Sequence, residues 1–119
     1  MGNPHSVHVR RVYDHPAPGD GTRVLVDRIW PRGMTKEKAS LDEWCKQIAP
    51  STVLRKWYSH DPERYEEFSR RYREELTEPE RAEALAHLRG LAETRTLTLL
   101  TASKAADISE ATVLAGLLH

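Results

Sequence analysis

Apolar residues fall along this chain in two rhythms. From Ser6 to Tyr13 (SVHVRRVY) they partly alternate with polar ones and valine is frequent, which predicts a strand. Asp14 to Thr22 (DHPAPGDGT) is rich in Pro, Gly and Asp and predicts a long surface loop. Arg23 to Ile29 (RVLVDRI) holds an unbroken Val24-Leu25-Val26 run, as expected of a strand covered on both faces. Pro31 removes a ladder donor, so that strand stops by Trp30. Thr96 to Thr101 (TLTLLT) predicts a third, buried strand.

Between the second and third strands the rhythm turns helical. Thr35 to Lys38 suits a single turn. Ser40 and Glu43 have capping-box spacing, and Leu41, Trp44 and Ile48 follow at i, i+3 and i+7, which predicts a short amphipathic helix ending before Pro50. Ser51 suits the cap of a further short helix with Val53, Leu54 and Trp57 as its apolar side. Asp61-Pro62 is a helix start, an N-cap acid followed by proline. Tyr65, Phe68, Tyr72 and Leu76 then mark one face. Glu66/Arg70, Glu67/Arg71, Arg70/Glu74 and Arg71/Glu75 make i, i+4 pairs on the other. Thr77 and Glu80 form a second capping box, opening a helix that buries Ala82, Leu85, Leu88 and Ala92 and ends near Glu93. Asp107 and Glu110 form a third, with Val113, Leu114, Leu117 and Leu118 along the closing helix.

Strands separated by helical crossovers are usually parallel. The expected fold is therefore α/β: a small, mostly parallel sheet of three to four strands with helices packed on it. The direction of the first strand is open, because no helix joins it to the second. At 119 residues the chain has room for one domain, spanning its whole length.

Formal net charge is zero, so no global field favours nucleic acid or membrane. The halves differ: residues 1–60 carry ten Lys/Arg and six Asp/Glu, and residues 61–119 carry eight and twelve. No apolar run approaches the roughly 18 residues of a membrane span, and no basic-then-apolar leader opens the chain. Met1 to Ser6 fits a loose acylation pattern that chance explains. A cytoplasmic protein is expected. The single cysteine, Cys45, makes no internal disulfide and suits a small buried core position better than a nucleophile. Histidine and cysteine spacings match no metal motif, so no metal or cofactor is implied.

In open parallel sheets, ligands bind beyond the carboxyl ends of the strands. Two segments leave such ends: Asp27-Arg28-Ile29-Trp30-Pro31-Arg32-Gly33 and Thr101-Ala102-Ser103-Lys104. Parallel pairing would gather Arg28, Arg32 and Lys104 with the hydroxyls of Thr101 and Ser103. That set suits an anion, since arginine offers a planar fork of donors and lysine a point charge. Trp30 would wall the pocket or stack on a ring. His60 is the candidate proton donor, histidine being the side chain that changes charge nearest neutrality. The same residues also have purely structural uses, Asp27 pairing with a nearby arginine and Arg32 bonding carbonyls around Gly33.

The group Arg55, Lys56, Trp57, Tyr58, His60 and Asp61 interleaves basic and aromatic side chains, a weak signature of nucleic-acid contact. Three readings stand in order. The first is a small-molecule enzyme or binder taking an anion at Arg28, Trp30, Arg32, Ser103 and Lys104. The second is a nucleic-acid or protein-binding module using Arg10, Arg11, Arg23, Arg55 and Lys56. The third is a self-associating domain with an apolar helix face. Oligomeric state is open.

One long string is recognisable as a whole: Arg23-Val24-Leu25-Val26-Asp27-Arg28-Ile29-Trp30-Pro31-Arg32-Gly33, then Ala49-Pro50-Ser51 with Leu54-Arg55-Lys56-Trp57, then His60-Asp61-Pro62. In these motifs the chain resembles the YeaO-like family of small bacterial proteins, domain of unknown function 488, from about Val7 to Leu118. The resemblance implies a compact, cytoplasmic α/β fold and no established activity, substrate or cofactor. Members often run Thr-Leu-Leu-Tyr-Ala-Ala-Lys-Asp in the last strand, then Asn or His. Here Lys104 matches, but Ala105 replaces the acid and the Asn or His is missing, so any chemistry resting on those groups would be lost.

Overall fold

A computed structural model describes residues 6–118. Residues 1–5 of the acylation-like Met1–Ser6 pattern lie outside them. Four strands form one all-parallel sheet: β1 (Val7–Arg11), β2 (Thr22–Leu25), β3 (Glu43–Trp44) and β4 (Leu97–Thr101). Their spatial order is β1-β4-β2-β3. The first strand, whose direction the sequence left open, is parallel to β4, with Val7 opposite Leu97 and Arg11 opposite Thr101. The long loop after β1 carries the chain back over β4, so that β2 pairs on its other side, Thr22 opposite Leu97.

Both faces of the sheet are covered, and the alternation of side chains sorts the core in two. Val24, Val26, Leu97 and Leu99 enter the larger cluster with Phe68, Tyr72, Leu88 and Leu114. Leu25 and Leu100, one residue out of step, enter a smaller cluster with Val12 and Ala39, against which Trp30 and Trp44 pack. Five α-helices supply the cover: α1 (Lys36–Ala39), α2 (Thr52–Tyr58), α3 (Tyr65–Glu75), α4 (Pro79–Thr94) and α5 (Glu110–Leu118). None is long and apolar enough to cross a membrane among the described residues.

The helix predicted over Leu41 to Ile48 does not form. Ser40 instead closes α1 in a left-handed conformation, and Glu43–Trp44 pairs with Val24–Leu25 as an edge strand. The reason lies in the adjacent apolar pair Trp44-Cys45. A strand sends neighbours to opposite faces. Here Trp44 joins the smaller cluster while Cys45 and Ile48 join the larger one, a split that no single helix face allows. Two other capping boxes also fail. Thr77 donates its hydroxyl back to the Glu74 carbonyl at 2.7 Å, and Glu78 is the N-cap of α4. Asp107 sits in a 3-10 turn, and α5 begins at Glu110 itself.

Ser51 does cap α2, accepting from the Leu54 amide at 3.1 Å, and Asp61 caps the turn ahead of α3, accepting from Glu63 at 3.0 Å. The buried side of α2 differs from the predicted one. Leu54 and Tyr58 face the core, Val53 is 80% exposed, and Trp57 lies at the margin under the guanidiniums of Arg64 and Arg71, 5.1 and 4.2 Å from its ring. Glu75, predicted to pair with Arg71, accepts instead from the Ser51 amide at 2.8 Å, which ties α3 to the start of α2.

Candidate functional site

The tails of β2 and β4 open side by side, because the strands are parallel and adjacent. Above them lies a pocket of about 650 Å³. Its floor is held by Asp27, which leaves the sheet just after β2. The Asp27 carboxylate accepts from the Thr101 hydroxyl at 2.9 Å and from the Ala102 amide at 2.8 Å, and its carbonyl accepts from the Trp44 indole at 2.7 Å. Asp27 therefore splints the two strand ends and does not pair with an arginine. Tyr13, leaving β1, donates to the Arg32 carbonyl at 2.9 Å and closes the rim on that side. The Trp30 indole donates to the Met34 carbonyl at 2.7 Å, and its ring meets Trp44 edge-on at 5.3 Å.

Of the residues expected at the rim, Arg28, Trp30, Arg32, Thr101 and Ser103 all line this pocket, and so does His60. Lys104 does not. It is exposed and absent from the lining. The chain turns away just before it, where the Ser103 carbonyl accepts from Arg11 Nε at 3.2 Å. His60 reaches the pocket through two consecutive left-handed residues, Ser59 and His60, with φ of 45° and 56°. Non-glycine residues rarely hold that conformation.

The lining residues that the sequence does not assign to this site include Tyr13, Arg55, Lys56 and Glu110. Arg55 and Lys56 come from α2, Glu110 from the first turn of α5. The Arg55 side chain makes no hydrogen bond and no ion pair among the described residues, and its Nε is buried without an acceptor. Burial, together with the Asp27 carboxyl against it, holds the Glu110 carboxyl well above the ordinary carboxylate range, although the charge of Arg55 opposes this. Tyr58, whose hydroxyl donates to the Ile108 carbonyl at 2.7 Å, stacks on Phe68 with ring centres 4.1 Å apart. Burial first, then the charges around it, push that hydroxyl up to about 12, so Tyr58 is a neutral donor at any working pH.

Two of the basic residues expected on a contact surface are turned to an internal carboxylate. Arg23 is buried on Asp20, Arg10 bonds the same carboxylate at 3.0 Å, and Arg55 lies in the pocket. Among the described residues no group of three or more His, Cys, Asp or Glu is placed to hold a metal ion. Cys45 is 4% exposed and does not line the pocket. Burial and the charge of Glu43 push its thiol up to about 11. Because the thiolate is the reactive form, a disulfide-exchange reagent at pH 8 is expected to leave Cys45 unmodified in the native protein and to label it on denaturation. Rapid stoichiometric labelling of folded protein would contradict that picture.

A family model described as the inactive DUF488-N3 subclade matches residues 6–119. The chain belongs to the DUF488 family. Among its relatives, an uncharacterised protein of Mycobacterium tuberculosis (strain ATCC 25618 / H37Rv), Rv3073c, is 50% identical over 113 residues, covering 95% of this chain and 93% of that protein. Its Mycobacterium bovis counterpart, Mb3100c, gives the same figures. The uncharacterised YeaO of Escherichia coli (strain K12) is 41% identical over 110 residues, covering 92% of this chain and 94% of YeaO. No solved structure matches the chain. The parallel α/β sheet described above is thus the fold of this DUF488 member, and the pocket beyond β2 and β4 is its candidate site.

Proposed function

We propose that this DUF488 protein binds a small anionic organic molecule in the pocket beyond β2 and β4, as a binder and not as a catalyst. One observation carries the reading. Arg28, Arg32, Arg55 and Lys56 line one pocket, and none of them forms an ion pair among the described residues. Elsewhere Arg10, Arg23, Arg64, Arg70, Arg71 and Arg81 are each matched to a carboxylate, and cations that are not, such as Arg73, Arg89 and Lys104, do not line this pocket. Unmatched cations held together repel one another, and an anion relieves that repulsion through charge-assisted bonds. The pocket is large enough for a drug-sized metabolite and has aromatic walls in Tyr13 and Trp30, which suits an organic ligand better than a bare ion. The word inactive in the matched family description supports binding over turnover.

A thermal-shift screen of phosphate esters and carboxylates tests this. A hit present at a hundred times its Kd should stabilise the native state by about 2.7 kcal/mol. Arg28→Ala is expected to weaken that hit by roughly ten- to hundredfold, since a charge-assisted bond is worth about 1.5–3 kcal/mol. Lys104→Ala should leave it unchanged. The reading fails if no anion raises the melting temperature, or if Arg28→Ala and Lys104→Ala behave alike.

A further inference from the structure

We infer that Arg55 and Glu110 form a proton-linked oxyanion subsite in this pocket: with Glu110 neutral, Arg55 takes an external phosphate-like or carboxylate oxygen, and with Glu110 ionised, Glu110 itself occupies Arg55 and shuts the oxyanion out. The inference rests on the anion-pocket reading and adds to it which side chain reads the anion and what gates it.

The geometry is specific. Arg55 Nε is a buried donor with no acceptor among the described residues. A buried donor left unmade costs about 1–3 kcal/mol, and in native structures such a group calls for a partner. Two carboxyls share the pocket with it. Asp27 is committed, its two oxygens taken by Thr101 and Ala102. Glu110 faces the Asp27 carboxyl and its own backbone amide. It lies against Asp27, and like charges so close favour keeping one proton between them. The groups that reach Glu110 are Asp27 after β2, Arg55 and Tyr58 on α2, and Tyr72 on α3. Both tyrosine hydroxyls already donate to carbonyls, those of Ile108 and Ile48, and burial holds both phenols neutral. A neutral Glu110 leaves the guanidinium free, and an ionised Glu110 competes for it.

Sulfate is the probe, because its charge does not change between pH 6 and pH 10. Its affinity should be flat while Glu110 is neutral, then fall by up to about tenfold per pH unit as one proton is lost. In Glu110→Gln, which mimics the neutral acid and should fold, that fall should vanish and affinity at high pH should equal the wild-type value at low pH. Arg55→Gln should lose sulfate binding at every pH. His60→Gln is the control for the imidazole in the same pocket. If the fall persists in Glu110→Gln and disappears in His60→Gln, the gate is His60 and the inference is overturned while the anion pocket stands. If Arg55→Gln binds sulfate as wild type does, the subsite is elsewhere. If wild type binds no sulfate at any pH, the subsite inference fails. The anion-pocket reading fails with it only when the phosphate-ester and carboxylate screen is also empty.

Discussion

Replacing Asp20 by asparagine is expected to destabilise the protein by about 3–5 kcal/mol, the range for breaking a buried ion pair from one side. Asp20 is 4% exposed and Arg23 is 5% exposed. The Asp20 carboxylate accepts from Arg23, from Arg10 at 3.0 Å and from the Ala17 amide at 3.0 Å, while its carbonyl accepts from Thr98 at 2.6 Å. The guanidinium of Arg23 reaches onward to the Ala39 carbonyl at 2.9 Å. One carboxylate therefore fastens the loop after β1, the start of β2 and the end of α1. Asparagine keeps the shape but leaves the charge of Arg23 buried and unmatched. The pH signature follows from the same contacts. Burial alone would raise the carboxyl, but the Ala17 amide and the two guanidiniums outweigh it and hold it below its ordinary 3.8. A depressed carboxylate stabilises the fold fully above that ordinary value and loses its contribution as pH falls through the folded one. The gap between wild type and Asp20→Asn in urea denaturation should thus be widest at neutral pH and close below about pH 4. Adding Arg23→Met to Asp20→Asn should recover much of the loss, because the unmatched charge leaves with it. A loss under about 1 kcal/mol in the single variant would show that water already reaches Arg23.

Much of this framework is legible in the sequence, and the failures share one cause. The Val24-Leu25-Val26 run and the TLTLLT segment announce strands covered on both faces, and Ser51 and Asp61-Pro62 mark real helix starts. The misread boxes at Ser40, Thr77 and Asp107 have the same spacing as real ones. A hydroxyl or carboxylate three residues before a glutamate is helix-capping only if the backbone between them is already helical, and packing decides that. At Ser40 the decision came from Trp44 and Cys45, which need opposite faces of a sheet. The pocket divides in the same way. Arg28, Trp30, Arg32 and Ser103 are local consequences of two parallel strand ends. Arg55 and Glu110 lie some fifty residues apart on α2 and α5, and tertiary contacts bring them together: the Tyr58 hydroxyl on the Ile108 carbonyl, the stacking of Tyr58 on Phe68 and the burial of Leu114. Lys104 misses the pocket by one step of the chain. Ser103 still faces the pocket, but its carbonyl is drawn outward to Arg11, and the next side chain goes to solvent.

The second large effect is expected at Gly21, where β2 is laid against β4. Gly21 has φ of 64°, and a Cβ there would overlap the carbonyl oxygen of Thr96 and stand 2.8 Å from the Thr96 Cβ. That same carbonyl accepts from the Thr22 amide at 2.9 Å, the first bond of the β2–β4 pairing. Alanine at position 21 therefore meets two costs. The positive-φ backbone, with ψ of −134° outside the left-handed helical well, costs at least roughly 1–2 kcal/mol, and opening the Thr22 bond to relieve the overlap adds about 1–3 kcal/mol. Gly33 separates these terms. Its φ is 75°, but nothing lies within 4 Å of a Cβ built there, so Gly33→Ala bears the conformational cost alone. Denaturation of the two variants should place Gly21→Ala at roughly 2–5 kcal/mol below wild type and Gly33→Ala at about 1–2 kcal/mol. The excess at Gly21 should also reach the pocket, because the strands it joins are the ones whose far ends carry Asp27 and Thr101. Hydrogen exchange at the Thr22 and Val26 amides, which bond Thr96 and Leu100 of the opposing segment, should quicken in Gly21→Ala and stay at wild-type rates in Gly33→Ala. Equal losses in the two variants would mean that the close approach to Thr96 does not govern how β2 seats on β4.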